Sequence, residues 1–267
     1  MTKIALCLVP AILLSLTGCH REDGLTAEEA GQARDELEVG STSQALTTQT
    51  VEVGTHFTIG GAVEQAASEL HDFIQSQKAC AAVELAGNSL TVRYGANGPC
   101  PFNGYQSITG THEITISKND SAEVVVDHVW TDLSNGDVTV NGTAHVTWNS
   151  ADPSRHVQHD LKWVRQSDGR AGEGTGDRVQ KPLDGDIAVG FTEDGQRTWD
   201  GKAGHWDLSI AGLEMRWEDP LPQAGTLTLD TPFDKTVSVA FARKDDSTIH
   251  MTLEGPRGSI GFDVHKL

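Results

Sequence analysis

The chain has 267 residues, 37% of them hydrophobic and only 6% aromatic, and its 38 acidic against 20 basic residues leave a formal charge of −18 at neutral pH. Such a chain is repelled by phosphate backbones, and no run of Lys or Arg supplies the clustered basic face that nucleic-acid binding needs, so no nucleic acid is expected as a partner.

At the N-terminus Lys3 supplies one positive charge, Ile4 to Leu14 form an apolar run broken only by Pro10, and Ser15-Leu16-Thr17-Gly18-Cys19 follows. This is the layout of a secretory signal. The apolar run falls short of the roughly 20 residues that a membrane-spanning helix needs, which disfavours a transmembrane anchor. Leu16-Thr17-Gly18-Cys19 resembles the lipobox of bacterial lipoproteins. The resemblance implies that residues 1–18 are a signal peptide, that cleavage precedes Cys19, and that Cys19 is acylated and holds the chain at a membrane. Several acyl chains, at about 0.8 kcal/mol per buried methylene, anchor far more firmly than one. His20 stands where aspartate would mark inner-membrane retention, so the resemblance implies the outer membrane, with the domain facing the periplasm or the surface.

Residues 19–46 carry many acidic and small polar residues and few large apolar ones, and they read as a lipid-anchored acidic tether. Thr26 and Glu29 have capping-box spacing, which allows a short helix over Ala27 to Glu38, marginal in water if unpacked. Residues 47–267 read as a single β-rich domain. Cys7 leaves with the signal and Cys19 takes lipid, so Cys80 and Cys100 remain, and an oxidising compartment predicts a disulfide between them. Closing a loop of about 20 residues contributes roughly 3 kcal/mol. The pair lacks the CxxC spacing of redox or metal sites.

Ala62 to Gln75 reads as a helix, because Val63, Ala66, Ala67, Leu70, Phe73 and Ile74 recur at three and four residues and form one stripe. It leads to a hairpin of Ala82 to Leu85 and Leu90 to Tyr94, turning at Gly87-Asn88. From Tyr105 the period becomes two. Ile108, Gly110, His112, Ile114 and Ile116 share one face, as do Val124, Val126, His128 and Trp130, then Val138 to Trp148, then Val157, His159, Leu161 and Trp163. Residues 166–204 are Gly-rich and charged, with only Ile187, Val189 and Phe191 forming a face, and predict irregular or edge strands. Trp206, Leu208 and Ile210 are expected to turn at Ala211-Gly212 into Leu213, Met215 and Trp217. Four further strands follow, around Leu227, Val237 to Phe241, Ile249 to Leu253, and Ile260 to Val264. The fold class is therefore mainly β: a large up-and-down antiparallel meander of ten or more strands, a curled sheet or barrel, with one N-terminal helix packed on it. An outer-membrane barrel would need aromatic girdles, for which 6% aromatics is too few.

Aligning Ile116 with Val124 sets Ile114 opposite Val126, His112 opposite His128, and Gly110 beneath Trp130. Two imidazoles on one buried face invite zinc, but a third ligand is required and His159 lies further off, so no metal is expected and the histidines read as parts of a sheet interior. No serine sits in GxSxG, and Gly172-Glu173-Gly174-Thr175-Gly176 lacks the Lys of a phosphate loop. Asp184, Asp186 and Asp194 read as a solvated acidic loop rather than a calcium site. No nucleophile has a base at recognisable spacing, so neither an enzyme nor a cofactor is expected.

In its whole run, including His128-Val129-Trp130-Thr131-Asp132-Leu133-Ser134-Asn135-Gly136 and Met215-Arg216-Trp217-Glu218-Asp219-Pro220-Leu221-Pro222-Gln223-Ala224-Gly225, the mature chain resembles uncharacterised lipoproteins of Gram-negative bacteria. That resemblance implies no activity. A lipidated curved sheet with a helix against it is also similar in architecture to periplasmic carriers of lipoproteins or lipids. Two functional expectations follow. One is a binding protein whose helix and sheet enclose a lipid or other hydrophobic molecule, with Phe73, His112, His128, Trp130 and Trp163 as candidate liners. The other is a structural or interaction lipoprotein of the envelope with a fully packed core.

Overall fold

The computed structural model describes residues 24–54, 62–102, 105–149, 153–186, 189–216, 219, 221–256 and 258–265. The signal sequence, the lipobox, Cys19, Ile187 and Trp217 lie outside the described residues. Two α-helices are described, α1 (Ala27–Gly54) and α2 (Val63–Gln77), with thirteen strands: β1 (Ala82–Ala86), β2 (Ser89–Tyr94), β3 (Thr109–Lys118), β4 (Val124–Ser134), β5 (Val138–Asn149), β6 (Ser154–Arg165), β7 (Ala171–Pro182), β8 (Gly190–Gly201), β9 (Gly204–Arg216), β10 (Ala224–Thr231), β11 (Lys235–Asp245), β12 (Thr248–Gly255) and β13 (Gly258–His265). The strands neighbour one another in chain order, so the antiparallel meander is as expected, and its order has two ends, β1 and β13, rather than closing. The chain divides into two compact units, residues 42–173 (the β1–β6 unit) and residues 1–41 with 174–267 (the β7–β13 unit).

In the β1–β6 unit the period-two reading holds. Val92, His112, Ile114, Ile116, Val126, His128, Trp130, Val140, Val146, Val157, Leu161 and Trp163 are all buried. The register differs by two residues: Ile116 faces Val126, Ile114 faces His128, and His112 faces Trp130. Asn119 explains the slip, because its side-chain oxygen accepts the Ser121 and Glu123 N–H groups at 3.1 and 3.0 Å and tightens the turn, so that Lys118 pairs with Val124. A slip of two keeps every side chain on its face, which is why the pattern could not detect it. The glycine opposite Trp130 is Gly142. Gly110 instead meets a bulge at Asp132, where a Cβ would lie 2.3 Å from the Asp132 carbonyl oxygen.

Helix α2 forms as read, with Ala66, Ala67, Leu70 and Ile74 buried and β1, β2 and β3 as its neighbours. Fully burying Leu70 and Ile74 contributes about 1.5–3 kcal/mol each. Cys80, just beyond the helix, is bonded to Cys100, and the loop so closed contains the β1–β2 hairpin.

Three expectations are corrected. The chain does not reverse at Ala211-Gly212; β9 runs straight through, and the register shifts against both β8 and β10 around that point. Gly212 has φ 57° there and donates its N–H to Asp194 at 2.7 Å. A bulge and a turn both invert the inward phase, so the apolar pattern looked the same. Residues 171–182 and 190–201 are regular strands of 12 residues each, not irregular or edge segments. Their inward positions hold Arg178, Gln180, Glu193 and Arg197, all buried, so the alternation is present in polar residues and invisible to a hydrophobic count.

The third correction concerns the tether. Residues 27–46 belong to α1, a helix of 28 residues, which makes two packed helices in place of one. Thr26 and Glu29 form the capping box: the Thr26 N–H donates to the Glu29 carboxylate at 2.6 Å and the Glu29 N–H to the Thr26 hydroxyl at 3.2 Å. Beyond it, Glu36, Leu37, Val39 and Gly40 are all buried while Glu38 is exposed, so burial runs round most of the axis. Ser43, Gln44, Thr47 and Thr50 are buried as well. A largely polar helix is ordinarily left in water. Several polar groups of this one meet partners, although the side-chain oxygens of Gln44 and Gln49 are buried without one among the described residues. Within the β7–β13 unit, Lys235 reaches Glu29 at 2.6 Å, the Lys202 N–H donates to Glu36 at 3.0 Å, and Arg197 donates to the Gly40 carbonyl at 2.9 Å. Within the β1–β6 unit, the Trp130 indole N–H donates to Thr50 at 2.9 Å and Arg155 donates with both terminal nitrogens to Glu52.

Replacing Cys80 and Cys100 together by serine is expected to lower stability by about 3 kcal/mol, the loop-closure contribution. Urea unfolding of oxidised wild type and the double variant checks this; coincident midpoints would contradict it.

Candidate functional site

The alternation of β2, β3 and β4 sets Tyr94, His112, His128 and Trp130 side by side on the inward face. Ring centroids lie 6.5 Å apart for Tyr94 and His112, 5.1 Å for His112 and His128, and 5.8 Å for His128 and Trp130, with all three pairs near parallel. Phe102 meets Tyr94 edge-on. The last turns of α1 close over this stack. Thr50 takes the Trp130 N–H, and a Cβ on Gly54 would lie 2.7 Å from the His128 ring, so glycine lets the helix end approach this closely. His112 and His128 have no exposed surface and Trp130 is 2% exposed.

His112 Nε2 and His128 Nδ1 are 2.9 Å apart. One ring donates and the other accepts, which requires both to be neutral or only one to be charged. Burial pushes the His112 pKa well below the usual imidazole value, with His128 adding to the effect. Burial, and then the Arg155 charge, push His128 down to about 3. Both rings are therefore neutral at physiological pH. In a neutral pair one outer nitrogen carries a proton and the other a lone pair, and His112 Nδ1 and His128 Nε2 have no hydrogen-bond partner among the described residues. Each unmade bond costs about 1–3 kcal/mol. Among the described residues no group of three or more His, Cys, Asp or Glu side chains is placed to hold a metal ion.

Of the five candidate liners, the structure brings together His112, His128 and Trp130. Trp163 is buried on β6 opposite Val140, outside this stack. Phe73 is half-buried on α2, off the stripe that packs against the sheet. Tyr94 was legible as the third inward residue of β2, whereas Thr50 and Gly54 were not, because nothing in their polar surroundings marked a packed helix. A broad depression of about 470 Å3 lies over β4, β5 and β6, lined in part by Asp127, His145, Gln158 and Asp160; of the five candidate liners His128 is among its lining residues, and Phe73, His112, Trp130 and Trp163 are not.

The β7–β13 unit has a second buried polar group. Glu193 accepts from Arg178 at 3.3 Å and from Gln180, and Arg197 lies beside them with its pKa lowered to about 9 by burial and then by Arg178. Charges, amide and the α1 carbonyl close on one another, which is the chemistry of a structural contact. Asp184 pairs with Arg216 and Asp194 with the Gly212 N–H, so these carboxylates do not converge. Gly172 to Gly176 lie within β7, without a strand-to-helix turn.

Because the folded pKa values of His112 and His128 are depressed, the unfolded chain binds more protons in acid. The stability they contribute is complete above about pH 6.5 and is lost as pH falls towards the folded values, by at most about 1.4 kcal/mol per pH unit for each ring. Urea unfolding of wild type and the His112→Phe/His128→Leu variant between pH 7.5 and 5.5 is expected to give a clearly shallower loss in the variant; equal slopes would contradict the neutral pair. No protein-family model, no curated protein and no solved structure matches this chain, so the functional case rests on its own geometry.

Proposed function

We propose that the chain is an exported lipoprotein, anchored at the outer membrane through acyl chains on Cys19, whose domain is a packed structural or interaction component of the envelope rather than a carrier or an enzyme. The observation that carries this reading is closure. A carrier needs Trp130 and its neighbours to face a void, yet Trp130 and Trp163 are each 2% exposed, His112 and His128 are fully buried, and the Trp130 N–H is engaged by α1. Side chains that fill the inward face leave the outward face as the surface for contact.

Further observations support the setting. The Cys80–Cys100 disulfide fits an oxidising compartment. Outward positions carry polar cross-strand pairs, the ion pairs Arg93 with Glu84 and Lys162 with Glu173 and the hydrogen bond between Asp127 and His145, which a lipid-facing band would not tolerate well. Among the described residues no helix is long and apolar enough to cross a membrane. An acyl anchor would supply the attachment.

Native mass spectrometry of protein extracted gently from its own membrane is expected to show covalent acyl groups on Cys19 and no other bound lipid, with no uptake of a fluorescent fatty acid. Cys19→Ala is expected to move the protein to the soluble fraction. A stoichiometric co-purifying lipid would overturn the packed-core reading, and a Cys19→Ala protein still in the membrane would overturn the anchor.

A further inference from the structure

We infer that the end of the β7–β13 unit at which α1 begins, formed by the β8–β9 turn (201–204) and the β10–β11 turn (231–235), lies against the lipid surface. The inference rests on the acylation of Cys19 proposed above. Cys19 and Leu25 are separated by five residues, so six Cα-to-Cα steps limit the distance from the acylated residue to Leu25 to about 20 Å. A tether of residues 19–46 would have let the domain stand far off in any orientation. With α1 packed, that freedom is gone.

The start of α1 is fixed to one end of the unit. Leu25 is 2% exposed, and the capping box locks the next turn. The Lys235 ammonium, at the β10–β11 turn, holds Glu29 at 2.6 Å, and the Lys202 N–H, at the β8–β9 turn, holds Glu36 at 3.0 Å. The two turns adjoin: a Cβ on Gly204 would lie 2.9 Å from Pro232, and beneath them Trp206 packs edge-on against Phe233 at 5.8 Å. The Lys235–Glu29 and Lys202–Glu36 contacts, with the burial of Leu25, therefore oppose any swing of the helix start away from this end. The meander places the β11–β12 turn, with Asp246, at the opposite end. Strands of 8 and 11 residues separate the ends, roughly 26–36 Å at 3.3 Å per residue, which exceeds the reach of the five-residue link. Lys202 is exposed at the near end and offers an ammonium to headgroup phosphates, whereas Glu28 and Asp234 beside it are acidic, so attachment by acyl chains rather than by charge sets the contact.

The test uses the full chain, acylated in cells, with a single added cysteine at Lys202→Cys, Asp234→Cys or Asp246→Cys labelled with bimane. Each is placed in phosphatidylcholine vesicles containing brominated lipid, and the mass of the Cys19 peptide is read on the same sample. The expected result is acylated Cys19 with bromine quenching at positions 202 and 234 at least twofold stronger than at 246. Equal or stronger quenching at 246 in an acylated chain overturns the orientation and leaves the anchor standing; a Cys19 peptide without acyl mass overturns both.

Discussion

A largely polar helix is buried at low cost only where its polar groups find partners, and that condition governs much of this structure. Helix α1 carries Glu28, Glu29, Asp35, Glu36, Glu38 and Glu52 against the single base Arg34, yet much of it is out of water. In the β7–β13 unit Lys235, Arg197 and the Lys202 N–H meet it, and in the β1–β6 unit Arg155 and the Trp130 indole do so. Removing one partner of a buried pair leaves an uncompensated group and is costly, so these contacts specify where the helix lies as much as they stabilise it. The apolar share comes from Leu25, Ala30, Ala33, Leu37, Val39, Leu46 and Val51, which are buried with them.

The helix also decides what the inward face can do. A wide sheet with one apolar face needs cover, and α2 with its 15 residues packs chiefly on β1, β2 and β3. Where the second half of α1 meets β4 it covers the aromatic stack, with Thr50 on Trp130 and Gly54 against His128. Two imidazoles held neutral in such a place contribute packing and a mutual hydrogen bond, and their burial makes the folded state sensitive to acid. On the proposed acylation of Cys19, the same helix would replace a long tether by a close attachment.

The strands of the β1–β6 unit were legible because Val, Ile, Leu and Trp alternate with Thr, Ser and charge, and parity alone assigns faces. Parity carries no information about register, so His112 was set opposite His128 although it pairs with Trp130, and only the Asn119 turn reveals the difference. The capping box at Thr26 was legible from spacing, but the extent of α1 was not, because residues such as Ser43, Thr47 and Thr50 give no apolar stripe. Strands β7 and β8 were missed for the same reason: Arg178, Gln180, Glu193 and Arg197 occupy the positions where a hydrophobic count looks for Val or Ile. Both misses are one physical fact, a polar interior. Of the site, His112, His128 and Trp130 could be placed on one face, while their closure by a helix distant in sequence could not.

Residue-resolved amide hydrogen exchange tests this account most directly. If α1 is a packed core element, the amides from Ala33 to Val51 exchange as slowly as those in the middle of β4 and β5, through openings comparable to global unfolding. Exchange of those amides at the rate of an unstructured peptide, while β4 and β5 remain protected, would contradict it.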